Sequence, residues 1–184
     1  MPATLTAIQT KSPLSRSITL NILALLFVYF TPALLQLINL PVYLIEPMRI
    51  MLIIVIAQTT QRNAIVLALT LPLFSFLVTS HPVLPKTLIM TAELLVNVWL
   101  FYFLSVKLKN YFSAIFLSII ISKVLYIGLK YLLINLQLID ESLISTSIYM
   151  QVVTTAVLSF YLAVVLRRRE ADPDVYVDPT AADF

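Results

Sequence analysis

Arg62–Tyr102 reads RNAIVLALTLPLFSFLVTSHPVLPKTLIMTAELLVNVWLFY. It holds two apolar segments, each close to the ~20 residues that one helical crossing of a bilayer requires. A tight polar corner, Ser80-His81-Pro82-Val83-Leu84-Pro85-Lys86, separates them. Glu93 and Asn97 then stand inside the second segment. A charged side chain near mid-bilayer costs at least ~2.5–3.5 kcal/mol, so such groups face a protein interior or a wet cavity. The stretch therefore predicts a membrane helical hairpin whose inner face helps to build a binding site.

Composition extends that reading to the whole chain. Of 184 residues, 60% are hydrophobic, and the mean hydropathy is +0.98. A soluble domain has an apolar share of roughly 45–50% and could not hide this excess from water. The net charge of +3 comes from basic residues scattered over the ends of apolar segments, a pattern that does not point to nucleic acid. The absence of cysteine excludes disulfides, thiol catalysis and Cys-ligated metals, and a single histidine, His81, excludes a multi-histidine metal site. One glycine excludes Gly-rich phosphate loops and GxxxG helix packing.

Six apolar segments follow one another, predicting an all-α integral membrane protein with a bundle of six transmembrane helices in residues 18–166. The spans are Ser17–Ile38, with Pro32 as a kink, Tyr43–Thr60, Ala64–Thr79, Lys86–Ser105, Tyr111–Ile134 and Thr146–Leu166. Residues 1–17 form a short polar N-terminus. The first apolar run is too long for a signal-peptide core and reads as a retained span. Arg167-Arg168-Arg169 stops the sixth span, and residues 170–184, with five acids and two prolines, are too polar to fold alone. That tail reads as solvated chain, with a docking peptide for a cytoplasmic partner as the alternative.

Positive charge sets the orientation. With both termini cytoplasmic, Lys11, Arg16, Arg62, Lys107, Lys109 and Arg167–Arg169 all fall inside, and only His81 and Lys86, beside Asp140 and Glu141, fall outside. The protein is expected in a cell membrane, the inner membrane of a bacterium.

The polar residues within the spans are the candidate site. Lys86, Met90, Glu93 and Asn97 share one face of the fourth span, and Lys123, Tyr126 and Lys130 share one face of the fifth. A short connection makes these spans antiparallel neighbours, so Glu93 is expected opposite Lys123 or Lys130. Glu46 and Arg49 lie near the outer end of the second span, and Ser147, Gln151, Thr155 and Ser159 recur every four residues on the sixth. The candidate substrate-binding residues are Glu46, Arg49, His81, Lys86, Glu93, Asn97, Lys123, Lys130 and Gln151. Glu93 paired with Lys123 or Lys130 is equally read as a buried ion pair that fixes helix register. Arg49, Lys86, Lys123 and Lys130 outnumber Glu46 and Glu93, an excess that points to a ligand with a carboxylate or phosphate. His81, between Pro82 and Pro85, reads as the stiff rim of the site rather than as a catalytic base. Trp99, Phe101, Tyr102 and Phe103 read as an aromatic belt, and the hydroxyls of the sixth span as bonds between helices.

Pro72, Leu73, Ser75, Phe76, Leu77 and Thr79, then Pro82, then Met90, Glu93 and Leu94, follow a recognisable order. This run resembles the substrate-binding S components of energy-coupling factor (ECF) vitamin transporters, many of which carry Pro-Leu-x-Ser-Phe-Leu-x-Thr, an outer loop with proline, and Met-x-x-Glu-Leu. The resemblance implies a six-helix bundle that captures a small vitamin-like molecule from outside without a cofactor. It also implies partnership with a membrane coupling protein and two cytoplasmic ATPases. The family's Ala-x-x-x-Ala motif on the first helix, which meets the coupling protein, is here Ala24 followed by Val28.

Two other readings stand beside that one. A small multi-pass scaffold resembling rod-shape-determining proteins would use the same charges only to hold helices together. A membrane enzyme acting on lipid finds no nucleophile with its base and no acid pair at ligand spacing, so the chain is expected not to be an enzyme.

Overall fold

The computed structural model describes residues 14–37, 46–79, 83–108, 110–140, 142–143 and 148–171. Every regular element among them is an α-helix: α1 (Leu14–Leu37), α2 (Pro47–Gln58), α3 (Gln61–Thr79), α4 (Leu84–Lys107), α5 (Tyr111–Asn135) and α6 (Ile148–Ala171). Five of these are long and apolar enough to cross a membrane. The second is not. Its 12 residues span only about 18 Å, against about 30 Å of hydrocarbon.

The expected second span, Tyr43–Thr60, therefore contains a shorter helix that begins at Pro47. Proline is suited to the first helical position, where no N–H is needed. Glu46 is the N-cap, but its side chain caps nothing, because its carboxylate is committed elsewhere. The start of that expected span, residues 43–45, lies outside the described residues.

Short as it is, α2 is the centre of the bundle. It packs against α1, α3, α4 and α6, and Leu52, Ile53, Val55 and Ala57 have no exposure at all. The longer helices turn large apolar side chains outward: Ile18, Ile22, Leu26 and Phe30 on α1, and Val152, Val157 and Phe160 on α6. An outer surface this apolar suits lipid and not water. Gly128 has open space where a Cβ would stand, so the single glycine serves no close helix approach. Ala24 and Val28 are buried within the bundle, and Pro32 and Pro72 lie inside α1 and α3.

Hydrogen bonds fix how the helices align. Asn97 Nδ2 donates to Ser122 Oγ at 3.3 Å across the α4–α5 hairpin. Lys107 and Tyr111 bound the connection of that hairpin, so partners in it sum to about the same number, as antiparallel helices require. At the end of the bundle where α1 and α3 begin, Arg16 donates to Gln58 at 3.2 Å, and Asn21 and Asn63 exchange bonds of 2.8 and 3.1 Å. These contacts stitch α1, α2 and α3 together. Arg168 and Arg169 are in the last turn of α6, so the arginine run caps a helix instead of following it.

The aromatic belt is half of what the sequence predicts. Trp99 and Phe103 face outward and stack at 5.4 Å, with Lys107 Nζ 4.4 Å from the Phe103 ring centre. Phe101 and Tyr102 are buried in the core. Successive helical residues turn by about 100°, so rings at 99, 101, 102 and 103 cannot all share one face. At the far end of α5, Gln137 adopts a left-handed φ of 55°. Gln137 N–H and Leu138 N–H then return to the carbonyls of Ile134 and Leu133 at 2.9 and 3.0 Å, closing the helix as a Schellman motif.

Candidate functional site

Three helices bring four charges into one chain of contacts. Glu93, on α4, accepts from Arg49 Nη2, on α2. Arg49 Nη1 lies 2.5 Å from Glu46 Oε2. The other oxygen of Glu46 accepts from Lys123 Nζ, on α5. The order is therefore Glu93, Arg49, Glu46, Lys123, with signs alternating and a formal sum of zero.

Local structure explains the arrangement. Glu46 and Arg49 are three residues apart, spanning the start of α2, and so lie on one side. The planar guanidinium presents N–H groups in a fork, which lets one arginine hold two carboxylates from different helices. Lys123 stands 12 residues from both Tyr111 and Asn135, the two ends of α5 (123 − 111 = 135 − 123), hence about 18 Å from either end. Arg49 and Glu93 are only 4% and 6% exposed, and the outer pair is looser, with side-chain exposures of 17% for Lys123 and 24% for Glu46. Such groups are tolerated at this depth because each meets an opposite charge at once.

This pairing corrects the expected one. Glu93 is paired with Arg49, not with Lys123 or Lys130, because α4 also packs against α2. Lys123 reaches back to Glu46. The cation excess on which an anionic ligand rested does not exist within this group: two cations meet two carboxylates.

Asn97 lies one turn from Glu93 on the same helix and is fully buried. Ser122 donates its own hydroxyl to the Ile119 carbonyl at 2.9 Å, so it can only accept from Asn97. In this arrangement Nδ2 points toward Ser122 and Oδ1 away from it. Among the described residues, neither Asn97 Oδ1 nor Arg49 Nε has a hydrogen-bond partner. Tyr102 Oη and Arg169 Nε, elsewhere in the bundle, are likewise buried without a hydrogen-bond partner among the described residues.

The other expected residues are distributed around this group. Lys130 is 2% exposed and donates to the Ser142 carbonyl at 2.8 Å, tying α5 to the segment after it. Lys86 is half-buried in the first turn of α4, two turns from Glu93. Gln151 is half-buried on α6, and its carbonyl accepts from the Thr155 hydroxyl at 2.7 Å. Ser159 likewise donates to the Thr155 carbonyl at 2.7 Å. These hydroxyls bond along their own helix, not to a neighbour as the sequence reading has it, because an i−4 carbonyl is always within reach of a helical Ser or Thr. His81 and Glu141 lie outside the described residues. Ser122 is the residue that sequence reading missed. The three-residue connection before α5 contained the signal, since it places residue 122 across from residue 97.

Comparison of the chain with protein-family models, with curated proteins and with solved structures finds no match in any of the three.

Proposed function

We propose that this chain is the solute-capture subunit of a membrane uptake system, of the kind that S components of ECF transporters exemplify. It would cross a cell membrane six times with both termini cytoplasmic and take a small vitamin-like molecule from the outer side. A membrane coupling protein and cytoplasmic ATPases would complete the system. The observation that carries the reading is the Glu93–Arg49–Glu46–Lys123 chain, held at mid-depth beside an open buried donor, Arg49 Nε, and an open buried acceptor, Asn97 Oδ1. A polar atom buried in an apolar bundle without a partner is costly. A ligand that supplies the missing partners recovers that cost on binding.

The orientation rests on charge. Arg16, Arg62, Lys107 and Arg167–Arg169 gather at the end where α1 and α3 begin and α4 and α6 finish. Basic residues concentrate on the cytoplasmic side of membrane proteins.

One observation favours the scaffold reading. The four charges sum to zero, which is what a clasp that only fixes helix register needs. Native mass spectrometry of the gently extracted full chain separates the two. Solute capture predicts a bound small-molecule mass released on activation. A chain that carries no such mass, and whose loss leaves solute uptake unchanged while disturbing partner assembly, is a scaffold.

A further inference from the structure

Trp99, Phe103 and Lys107 are spaced by four, so they form one ladder along α4. Helical side chains lean toward the helix N-terminus, which brings Lys107 back over Phe103 and Phe103 toward Trp99. Lys107 Nζ is accordingly 4.4 Å from the Phe103 ring centre, and the Phe103 and Trp99 rings stack at 5.4 Å, 8° from parallel. The ladder faces away from the bundle: all three side chains are exposed. Because α4 is long and apolar enough to cross a membrane, lipid is what lies against this face.

Lys107 stands in the last turn of α4, where a crossing helix leaves the hydrocarbon. The aromatic face attracts its ammonium but accepts no more than part of its three donors. Among the described residues no carboxylate meets Lys107. Arg167 and Arg168 are exposed at the same end of the bundle, so the described side chains there favour an anion. A zwitterionic headgroup would bring a second ammonium toward these cations, whereas an anionic headgroup brings only the phosphate that Lys107 lacks.

We infer that the outward ladder of α4 binds an anionic phospholipid in the leaflet where that helix ends. The lipid phosphate meets Lys107 Nζ, and the upper part of an acyl chain lies along Phe103 and Trp99. The inference requires that α4 crosses a bilayer. It does not depend on solute capture or on which side of the membrane this end faces.

Trp99 is the single tryptophan of the chain, so its fluorescence reports on the ladder without a label. The full chain is placed in nanodiscs of equal parts phosphatidylglycerol and phosphatidylcholine, with bromine on the acyl chains of one lipid and then of the other. Bromine quenches tryptophan only on contact. The expected result is quenching by brominated phosphatidylglycerol as though it were enriched about fivefold at Trp99. Lys107→Gln is expected to bring the two lipids level, and Phe103→Leu, which keeps the charge and loses the ring, to weaken the preference. Arg62→Gln removes an equal charge at the same end of the bundle but off the ladder, and is expected to leave the preference in place. Thermal unfolding shows that each variant is folded. Equal quenching by the two lipids in wild type overturns the inference. A preference that Arg62→Gln lowers as far as Lys107→Gln also overturns it, since charge at large and not the ladder then attracts the lipid. Weak quenching by both lipids overturns it as well, because another protein surface, such as a second copy of the chain, then covers Trp99.

Discussion

Arg49 holds two carboxylates on one guanidinium while being almost wholly buried, so its removal strands Glu93 in an apolar interior. Arg49→Met is expected to destabilise the fold by about 3–5 kcal/mol, the range for breaking a buried pair from one side. Chemical unfolding in detergent measures it. Removing both partners is different. Arg49→Met with Glu93→Met leaves Glu46 paired with Lys123, and is expected to fold within about 1 kcal/mol of wild type or to be more stable. Lys123→Met should cost less than Arg49→Met, under about 2 kcal/mol, because the outer pair is partly exposed and Glu46 keeps Arg49. The identities of the buried charges were legible in the sequence, because Glu93 and Lys123 interrupt long apolar runs. Their pairing was not. Glu93 to Arg49 depends on which helices flank α4 in the bundle, and hydropathy says nothing about that order.

Helix ends carry the next level of specification. The long apolar segments announced themselves, since lipid requires about 20 apolar residues per crossing and leaves little else to choose. The shortness of α2 was hidden, because its upstream residues are as apolar as its own and only Pro47 marks the start. The α4–α5 register was legible in principle from the connection between them, as the Asn97–Ser122 bond confirms. At the end of α5 the chain accepts a left-handed Gln137 to close the Schellman turn. A side chain there costs about 1 kcal/mol relative to glycine. Gln137→Gly is accordingly expected to stabilise the protein by about that amount, read as a shift in the unfolding midpoint at unchanged slope.

For the whole molecule, the short buried α2 with five long helices about it makes a bundle whose interior is charged and whose surface is greasy. Topology follows from where the cations collect. The chain has no cysteine, so single cysteines report sidedness without background. With intact cells and a membrane-impermeant thiol reagent, Val83→Cys and Asp140→Cys are expected to label from outside. Gln61→Cys and Ala171→Cys are expected to label only after permeabilisation. The reverse pattern would contradict the proposed cytoplasmic placement of both termini.

The central claim is that the charge chain of α2, α4 and α5 is a place where a solute binds and not only a clasp between helices. The paired variant Arg49→Met with Glu93→Met tests it most directly, because it removes the inner half of the chain while keeping the fold. Recovery of bound small molecules from the full chain in nanodiscs is compared with wild type after thermal unfolding has shown both to be folded. The account predicts a fold as stable as wild type with recovery below about one tenth, the loss of at least one strong polar contact. The same solutes recovered at the wild-type level from a folded double variant would contradict it.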